Sequence, residues 1–549
     1  MCTVPMITTM PDKDNDEHVD VLIIGAGASG AAAAWNLADT RMRIVCLEQG
    51  DWMNPAEYPS TTRDFEARSF GEFSISPNRR ARITDYPIND DHSPIKIANF
   101  NGVGGGTILY AGHYPRFHPS DFRVRSLDGV ADDWPIDYET LAPFYDQDDR
   151  ITGVSGLAGD PAYPADPPKE SLMPPLPLGR AGETVARGFN ARGWHWWPSD
   201  SAIATEAYEG RDRCINLGAC LSGCAQGAKA STDITYWPAA IRAGVELRTR
   251  CRVSEITVDD NDRATGAIYF DADGVRRDIR AEVVVVAMNG VGTPRILLNS
   301  TSQRFPNGLA NSSGLVGRNL MFHPYASISG VFEAAQDGYR GPIDCLWSQE
   351  FYETRDEHNH LRGYTFEMTR GRGAVATALG GMASGRIPWG IGHHDAYRAL
   401  HNRITGMVAI CEDLPEAHNT VTLDPHLKDS DGVPSPRIDY TLSENSRNML
   451  DHAVARATDV LRAAGAVDVM SESPLAVGGW HLMGTARMGT DPETSVVNEW
   501  GRSHDVKNLF IVDGSVFVTS AGVNPTRTIT ALALYITDAM KQRLANLFD

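Results

Sequence analysis

Gly25, Gly27 and Gly30 make a G-x-G-x-x-G pattern that follows an apolar run and opens an alanine-rich one, and Glu48 ends the next apolar run. Glycine suits all three positions for chemical reasons. One makes the tight turn, one lets a pyrophosphate reach backbone N–H groups at a helix N-terminus, and one allows close helix-to-strand packing. A carboxylate at Glu48 can accept hydrogen bonds from both hydroxyls of a ribose. The pattern predicts a dinucleotide site and leaves FAD and NAD both open. A second cluster, Asn101-Gly-Val-Gly-Gly-Gly-Thr107, concentrates backbone amides without side chains. It suits another close approach to a phosphate or a ring, or, on local composition alone, a flexible loop. Cys214, Cys220 and Cys224 fall within eleven residues. Three thiols so spaced could ligate an iron–sulfur cluster, but the favoured reading is a tight loop of small buried residues, so no metal is assigned.

These groups need elements to hold them. Val21 to Glu48 reads as strand, glycine turn, helix and strand, a complete βαβ unit. Residues 51–97 are polar and proline-dotted, predicting an extended excursion, and 156–181 are proline-rich enough for a surface loop or lid. VELRTRCRVSEITVD alternates as a strand, and two further strands follow, the last continuously apolar. Residues 331–440 read as irregular and strand-rich, and an amphipathic helix is expected from Ser443 to Ala464, stopped by Gly465.

Composition sets outer limits. A chain of 549 residues exceeds the size at which one core keeps growing, so two or more domains are expected. With 42% hydrophobic and 22% charged residues it is an ordinary globular composition. A net charge of −20 without a basic block argues against a nucleic-acid partner. No apolar run reaches bilayer-spanning length, no export signal opens the chain, and eight cysteines are too sparse for a disulfide scaffold. A cytoplasmic setting with reduced thiols is expected.

With both glycine signatures, GGWHLMGTARMG at 478–489 and VDGSVFVTSAGVNPTRTITALA at 512–533, the chain resembles the glucose-methanol-choline (GMC) oxidoreductase family over nearly its whole length. It looks closest to the branch of pyranose oxidases, glycoside 3-oxidases and gluconate-type dehydrogenases, because of GTARMG and GHYPRFHPSDF. The resemblance implies an α/β fold, α+β overall: a Rossmann-like FAD-binding domain with a sheet-and-helix substrate-binding domain. The expected FAD-binding segments are 19–120, 205–330 and 475–549; 121–204 and 331–474 would form the substrate domain and lid.

By that resemblance His481 and Asn524 are the catalytic pair, the imidazole taking the hydroxyl proton of an alcohol while flavin takes the carbinol hydride. FAD would be held by Gly25, Gly27, Ala28, Ser29, Gly30 and Glu48, and by Gly102, Gly104, Gly105, Gly106, Thr107 and Tyr110. Val253, Ala287, Asp513, Gly514, Asn524, Pro525 and Thr526 would complete the site, with Asn289 beside Ala287. Several pyranose oxidases attach flavin through a His that here falls at Leu109, so dissociable FAD is expected. The cysteine spacing resembles that of certain FAD-dependent glucose dehydrogenase subunits that carry an iron–sulfur cluster. The expected reaction oxidises a secondary alcohol of a sugar or glycoside to a keto sugar, with electrons passed to O2 or another acceptor. Non-sugar alcohols such as sterols, polyols or aliphatics are the alternative, and an FAD-keeping lyase without net oxidation is the alternative of another class. Trp194, Trp196, Trp197, Trp347 and Trp389 could stack on a sugar ring, although core packing suits most of them better.

Overall fold

The computed structural model describes residues 17–163, 172–343, 345–371 and 373–543, so part of the proline-rich lid stretch, 164–171, lies outside the described residues. Strand β1 (His18–Ile24) is continuously apolar from Val21 because it is central, with a parallel neighbour on each side. Helix α1 (Ala28–Leu37) follows, then strand β2 (Ile44–Leu47) beside β1. The four alanines 31–34 are fully buried. Their small side chains let α1 lie against the C-terminal helix Thr526–Gln542, to which Asn36 Nδ2 donates at Leu534 O (3.1 Å) and Thr537 Oγ1 (2.8 Å).

The seven-stranded sheet runs Glu246–Arg248, β2, β1, Arg276–Val286, Ala264–Phe270 and Arg252–Val258, with Leu509–Ile511 also paired to Arg276–Val286. The single strand expected over VELRTRCRVSEITVD is two strands on opposite sides of this sheet. Between them Arg250 takes a left-handed conformation (φ 57°), and Arg250 N and Cys251 N donate to Gly50 O and Glu48 O. Pairing with the end of β2 turns the chain, and alternation alone could not signal that.

A second, six-stranded antiparallel sheet orders Asp468–Glu472, Tyr325–Val331, Ile404–Cys411, Tyr364–Thr369, Leu346–Ser348 and Trp197–Pro198. Helix Glu444–Ala463 covers it, starting as the sequence predicts: Ser443 Oγ accepts from Ser446 N at 3.0 Å. Helices Ala374–Ala383 and His393–Leu400 lie in text expected to be irregular or strand-rich; both are short and largely exposed, so little periodic pattern marks them in the sequence. The architecture is mixed α/β with a Rossmann-like unit. Among the described residues no helix is long and apolar enough to cross a membrane.

Candidate active site

The glycine turn after β1 is forced by backbone crowding. Gly25 sits at φ 101°, and a Cβ there would stand 2.5 Å from Ala287 O. A Cβ on Gly30 would meet Gly25 O at 1.9 Å, so Gly30 serves the helix-to-turn approach and does not face the cavity. The second glycine cluster is no flexible loop. Gly104 N donates to Ala26 O (2.9 Å), and a Cβ on Gly105 would lie 2.8 Å from Gly27 Cα. The two glycine signatures therefore touch through bare backbone, giving a cradle that side chains would fill. Gly102 and Gly104 support it from behind, packed on Phe100 and Ile108.

A cavity of about 420 Å³ opens over this cradle. Gly25, Gly27, Ala28, Ser29 and Glu48 line its β1–β2 end. Gly105, Gly106, Thr107, Tyr110, Val253, Ala287 and Asn289 line its walls, and Asp513, Gly514, Asn524, Pro525 and Thr526 close it together with His481. Of the expected cofactor residues, Gly30, Gly102 and Gly104 do not border this space. Leu109, at the position of the attachment His of other enzymes, does.

The donor set fits the nucleotide half of FAD. Glu48 is buried, and its carboxylate takes N–H bonds from Ala26 (Oε2, 2.8 Å) and Gly50 (Oε1, 2.8 Å). Burial pushes its pKa above the ordinary value, opposed by those backbone bonds; further hydroxyl donors from a ribose would favour the ionised form in the same way. Asp513 lines the cavity with its carboxylate already engaged. Its carboxylate accepts from Met288 N (2.7 Å), Thr293 Oγ1 (2.6 Å) and Ser515 N (2.8 Å), tying the start of helix Asn289–Asn299 to the loop after Leu509–Ile511. It shapes the cavity wall as a buried knot.

At the other end His481 and Asn524 come together at the cavity from segments 43 residues apart. Asn524 precedes Pro525, the cap residue of the C-terminal helix, and its side chain does not cap that helix. Asn524 Oδ1 is buried without a hydrogen-bond partner among the described residues. Such an atom is costly unless a ligand satisfies it.

Sequence reasoning missed His323. An antiparallel bridge pairs Met321 with Met483, which sets His323 directly opposite His481 two residues along on the same face. The two Nδ1 atoms are 2.7 Å apart. His323 Nε2 faces the carbonyls of Ser520 (3.0 Å) and Ala521 (2.9 Å), which can only accept, so Nε2 carries the hydrogen. Burial pushes the His323 pKa down to about 4, leaving the ring neutral and its Nδ1 a bare acceptor. His481 Nδ1 must then be the donor, and His481 Nε2 keeps a free lone pair. Burial, with smaller contributions from His323 and His113, holds His481 well below the ordinary imidazole value. The result is a neutral imidazole in a fixed tautomer. The signal in the sequence was a second His in LMFHP, but nothing in spacing placed it against His481.

The remaining lining is mostly apolar: Ile343, Met368, Val408, Leu221 and Tyr325, with Trp480 at the rim. Its polar members include Asn99, Asn101, Thr369 and Glu367, whose Oε2 lies 3.1 Å from His113 Nε2, both buried. None of the five tryptophans offered for sugar stacking borders the cavity: Trp347 is buried elsewhere and Trp389 is 94% exposed. Cys214, Cys220 and Cys224 are half-buried on a loop that Lys229 Nζ grips through Cys220 O at 2.6 Å. Among the described residues, the one convergent group of three or more metal-ligating side chains lies elsewhere and contains no cysteine.

Comparisons with known proteins agree with this geometry. Residues 187–325 and 415–533 match models described as GMC oxidoreductase, and 23–63 match an NAD(P)-binding Rossmann-like domain. The chain is 41% identical over 539 residues to 2-methyl-1,2-propanediol dehydrogenase of Mycolicibacterium austroafricanum, covering 97% of each protein. It is 31% identical to paromamine 6'-oxidase of Streptomyces fradiae, covering 95% of this chain and 91% of that one. Against the fructose dehydrogenase large subunit of Gluconobacter japonicus the identity is 28%, with 95% and 97% covered. The fold is shared with pyridoxine 4-oxidase from Mesorbium loti at a TM-score of 0.64 and 16% identity, over 95% of this chain and 99% of that one. On this likeness along its whole length, the chain belongs to the GMC oxidoreductase family and is an FAD-dependent oxidoreductase acting on alcohols.

Proposed function

We propose that this enzyme oxidises an alcohol carrying a neighbouring hydroxyl, a small vicinal diol first, with His481 as the base. The observation that carries the proposal is the bare Nε2 of a neutral His481 sharing the cavity with the unsatisfied Oδ1 of Asn524. The glycine cradle and Glu48 would hold the flavin non-covalently, and when bound it would supply an acceptor for the carbinol hydride. His481 Nε2 takes the hydroxyl proton, and the Asn524 side-chain amide orients the same oxygen by donating an N–H to it. The His323 ring holds the tautomer throughout, because its own Nε2–H is committed to two carbonyls. Glu367, beside His113, accepts a hydrogen bond from the second hydroxyl, and apolar Ile343, Met368 and Val408 exclude water around a short carbon skeleton.

The diol preference is supported by this apolar lining and by the substrate in the name of the 41%-identical relative. A secondary alcohol of a sugar or glycoside is the second reading, supported by the names of the paromamine and fructose enzymes. We also propose that segments 19–120, 205–330 and 475–549 form the FAD-holding unit and 121–204 with 331–474 the substrate-holding unit. A cytoplasmic setting and O2 or another acceptor for the electrons complete the proposal. Anaerobic mixing of the purified flavoprotein with short diols, monosaccharides and glycosides tests it through flavin absorbance. Faster bleaching by diols is expected; bleaching by sugars alone would install the second reading, and by neither would overturn both. Readmitting oxygen then separates oxidase from dehydrogenase by the rate of recovery.

A further inference from the structure

A second cluster of nitrogen ligands lies away from the redox cavity. His358 and His360 sit in the loop after strand Leu346–Ser348, and His452 faces them from helix Glu444–Ala463; one ring nitrogen of each lies within 4.8 Å of the others. None of the three borders the cavity. The loop is pinned to that helix face: Asn445 Oδ1 accepts from Leu361 N (2.8 Å), Asn445 Nδ2 donates to Leu361 O (3.1 Å), and Asn448 Nδ2 donates to Asn359 O (3.1 Å). Positions 445, 448 and 452 share one face at helical spacing, so the helix presents an imidazole to an already fixed loop.

The hydrogen bonding leaves a ring nitrogen of each histidine for a ligand. His360 Nδ1 is 3.1 Å from Arg362 O, a pure acceptor, so Nδ1 carries the hydrogen and Nε2 is bare. That Nε2 is buried without a partner among the described residues, and so is His358 Nδ1. His452 Nδ1 pairs with Tyr364 Oη at 3.0 Å, and where Nδ1 donates to that oxygen Nε2 is left for a ligand. A ring nitrogen bonded to a carbonyl or hydroxyl, with the other free, is how proteins orient imidazoles for metals. Burial holds all three rings below the ordinary imidazole value, His452 at about 4, so they are neutral donors. The nearby guanidiniums are engaged, Arg355 with Glu350 (3.3 Å) and Arg456 with Asp459 (3.2 Å).

We propose that His358, His360 and His452 bind one divalent transition-metal ion of the Zn²⁺, Ni²⁺ or Cu²⁺ class, with water in the remaining position. Three imidazoles suit these ions and not Mg²⁺ or Ca²⁺, which take oxygen ligands. Tetrahedral bonds of about 2.0–2.1 Å set the nitrogens roughly 3.4 Å apart, so small ring rotations on binding draw the three inward. The ion clamps the 355–362 loop to the helix that covers the substrate-side sheet, and stabilises the fold by binding the native state alone.

The test is calorimetric titration of ZnCl2 into chelator-treated, tag-free holoenzyme. One ion per chain at micromolar affinity or tighter is expected, weakened at least 100-fold in His360→Ala and in His452→Gln, with flavin reduction by substrate unchanged and Mg²⁺ without effect. The exposed pair His393 and His394 provides the control. No saturable binding, or binding lost in a His393→Ala/His394→Ala variant and kept in the other two, would overturn the proposal. Should either cluster variant fail to fold, labelling of wild-type histidines with diethylpyrocarbonate decides. Zinc that shields residues 358, 360 and 452 together supports the site, and zinc that leaves them reactive overturns it.

Discussion

The two ends of the cavity are built by opposite means. The β1–β2 end is made of backbone: bare glycine N–H groups and one carboxylate, all from Gly25 to Glu48, touched by a second glycine run. The His481 end is made of side chains, with His323, His481 and Asn524 drawn from three segments and Glu367 and His113 from two more. A site made of backbone must forbid side chains locally, and that leaves a mark in the sequence. A site made of side chains needs only that distant strands register correctly.

The largest effect should come from the side-chain end. His481→Ala is expected to lower kcat by on the order of 10²–10⁴ while FAD absorbance is retained, read by anaerobic flavin reduction. Unchanged reduction would remove His481 as base. His323→Ala should cost on the order of 10² in kcat with little change in KM, because a freed His481 can take the wrong tautomer. Equal losses in KM and FAD content would instead mark His323 as merely structural.

The backbone end should answer in affinity and not in rate. Glu48→Gln is expected to weaken FAD binding by about 1.5–3 kcal/mol, or roughly 10- to 150-fold, measured by flavin release on dilution. The kcat of the remaining holoenzyme should hold.

A subtler difference lies in pH. A His whose folded pKa is lowered stays a base at lower pH, so kcat/KM should remain level from about pH 8 through 6.5, where an ordinary imidazole half-titrates, and decline only below it. The same sign applies to stability. His323 at about 4 and His113 at about 3 contribute stability that is full above about pH 6.5 and lost as pH falls toward those values. A kinetic midpoint near 6.5 that belongs to free enzyme would contradict the burial of His481. The smallest effects concern the rim: Trp480→Ala should raise KM several-fold, and Trp389→Ala, at 94% exposure, should change nothing in steady-state kinetics.

Much of the nucleotide end was legible because each requirement is local. Gly25 needs positive φ, Gly30 needs no Cβ, and Glu48 needs only to end the next strand. The capped helix from Glu444 was legible for the same reason, with Ser443 before it and Gly465 after it. The break at Arg250 was not, since it follows from pairing with β2 and with Gly50. Nor was the exclusion of five tryptophans from the cavity, because residue type says nothing about which face of which sheet a ring will occupy.

The sequence by itself determined a dinucleotide cradle, and the resemblance of its motifs singled out His481 and Asn524. Only the tertiary structure decided which tautomer His481 holds: the Met321–Met483 bridge brings His323 opposite, the carbonyls of Ser520 and Ala521 fix His323, and His323 fixes His481. A tautomer is set by what the other ring nitrogen meets, and that neighbour arrives 158 residues away in the chain.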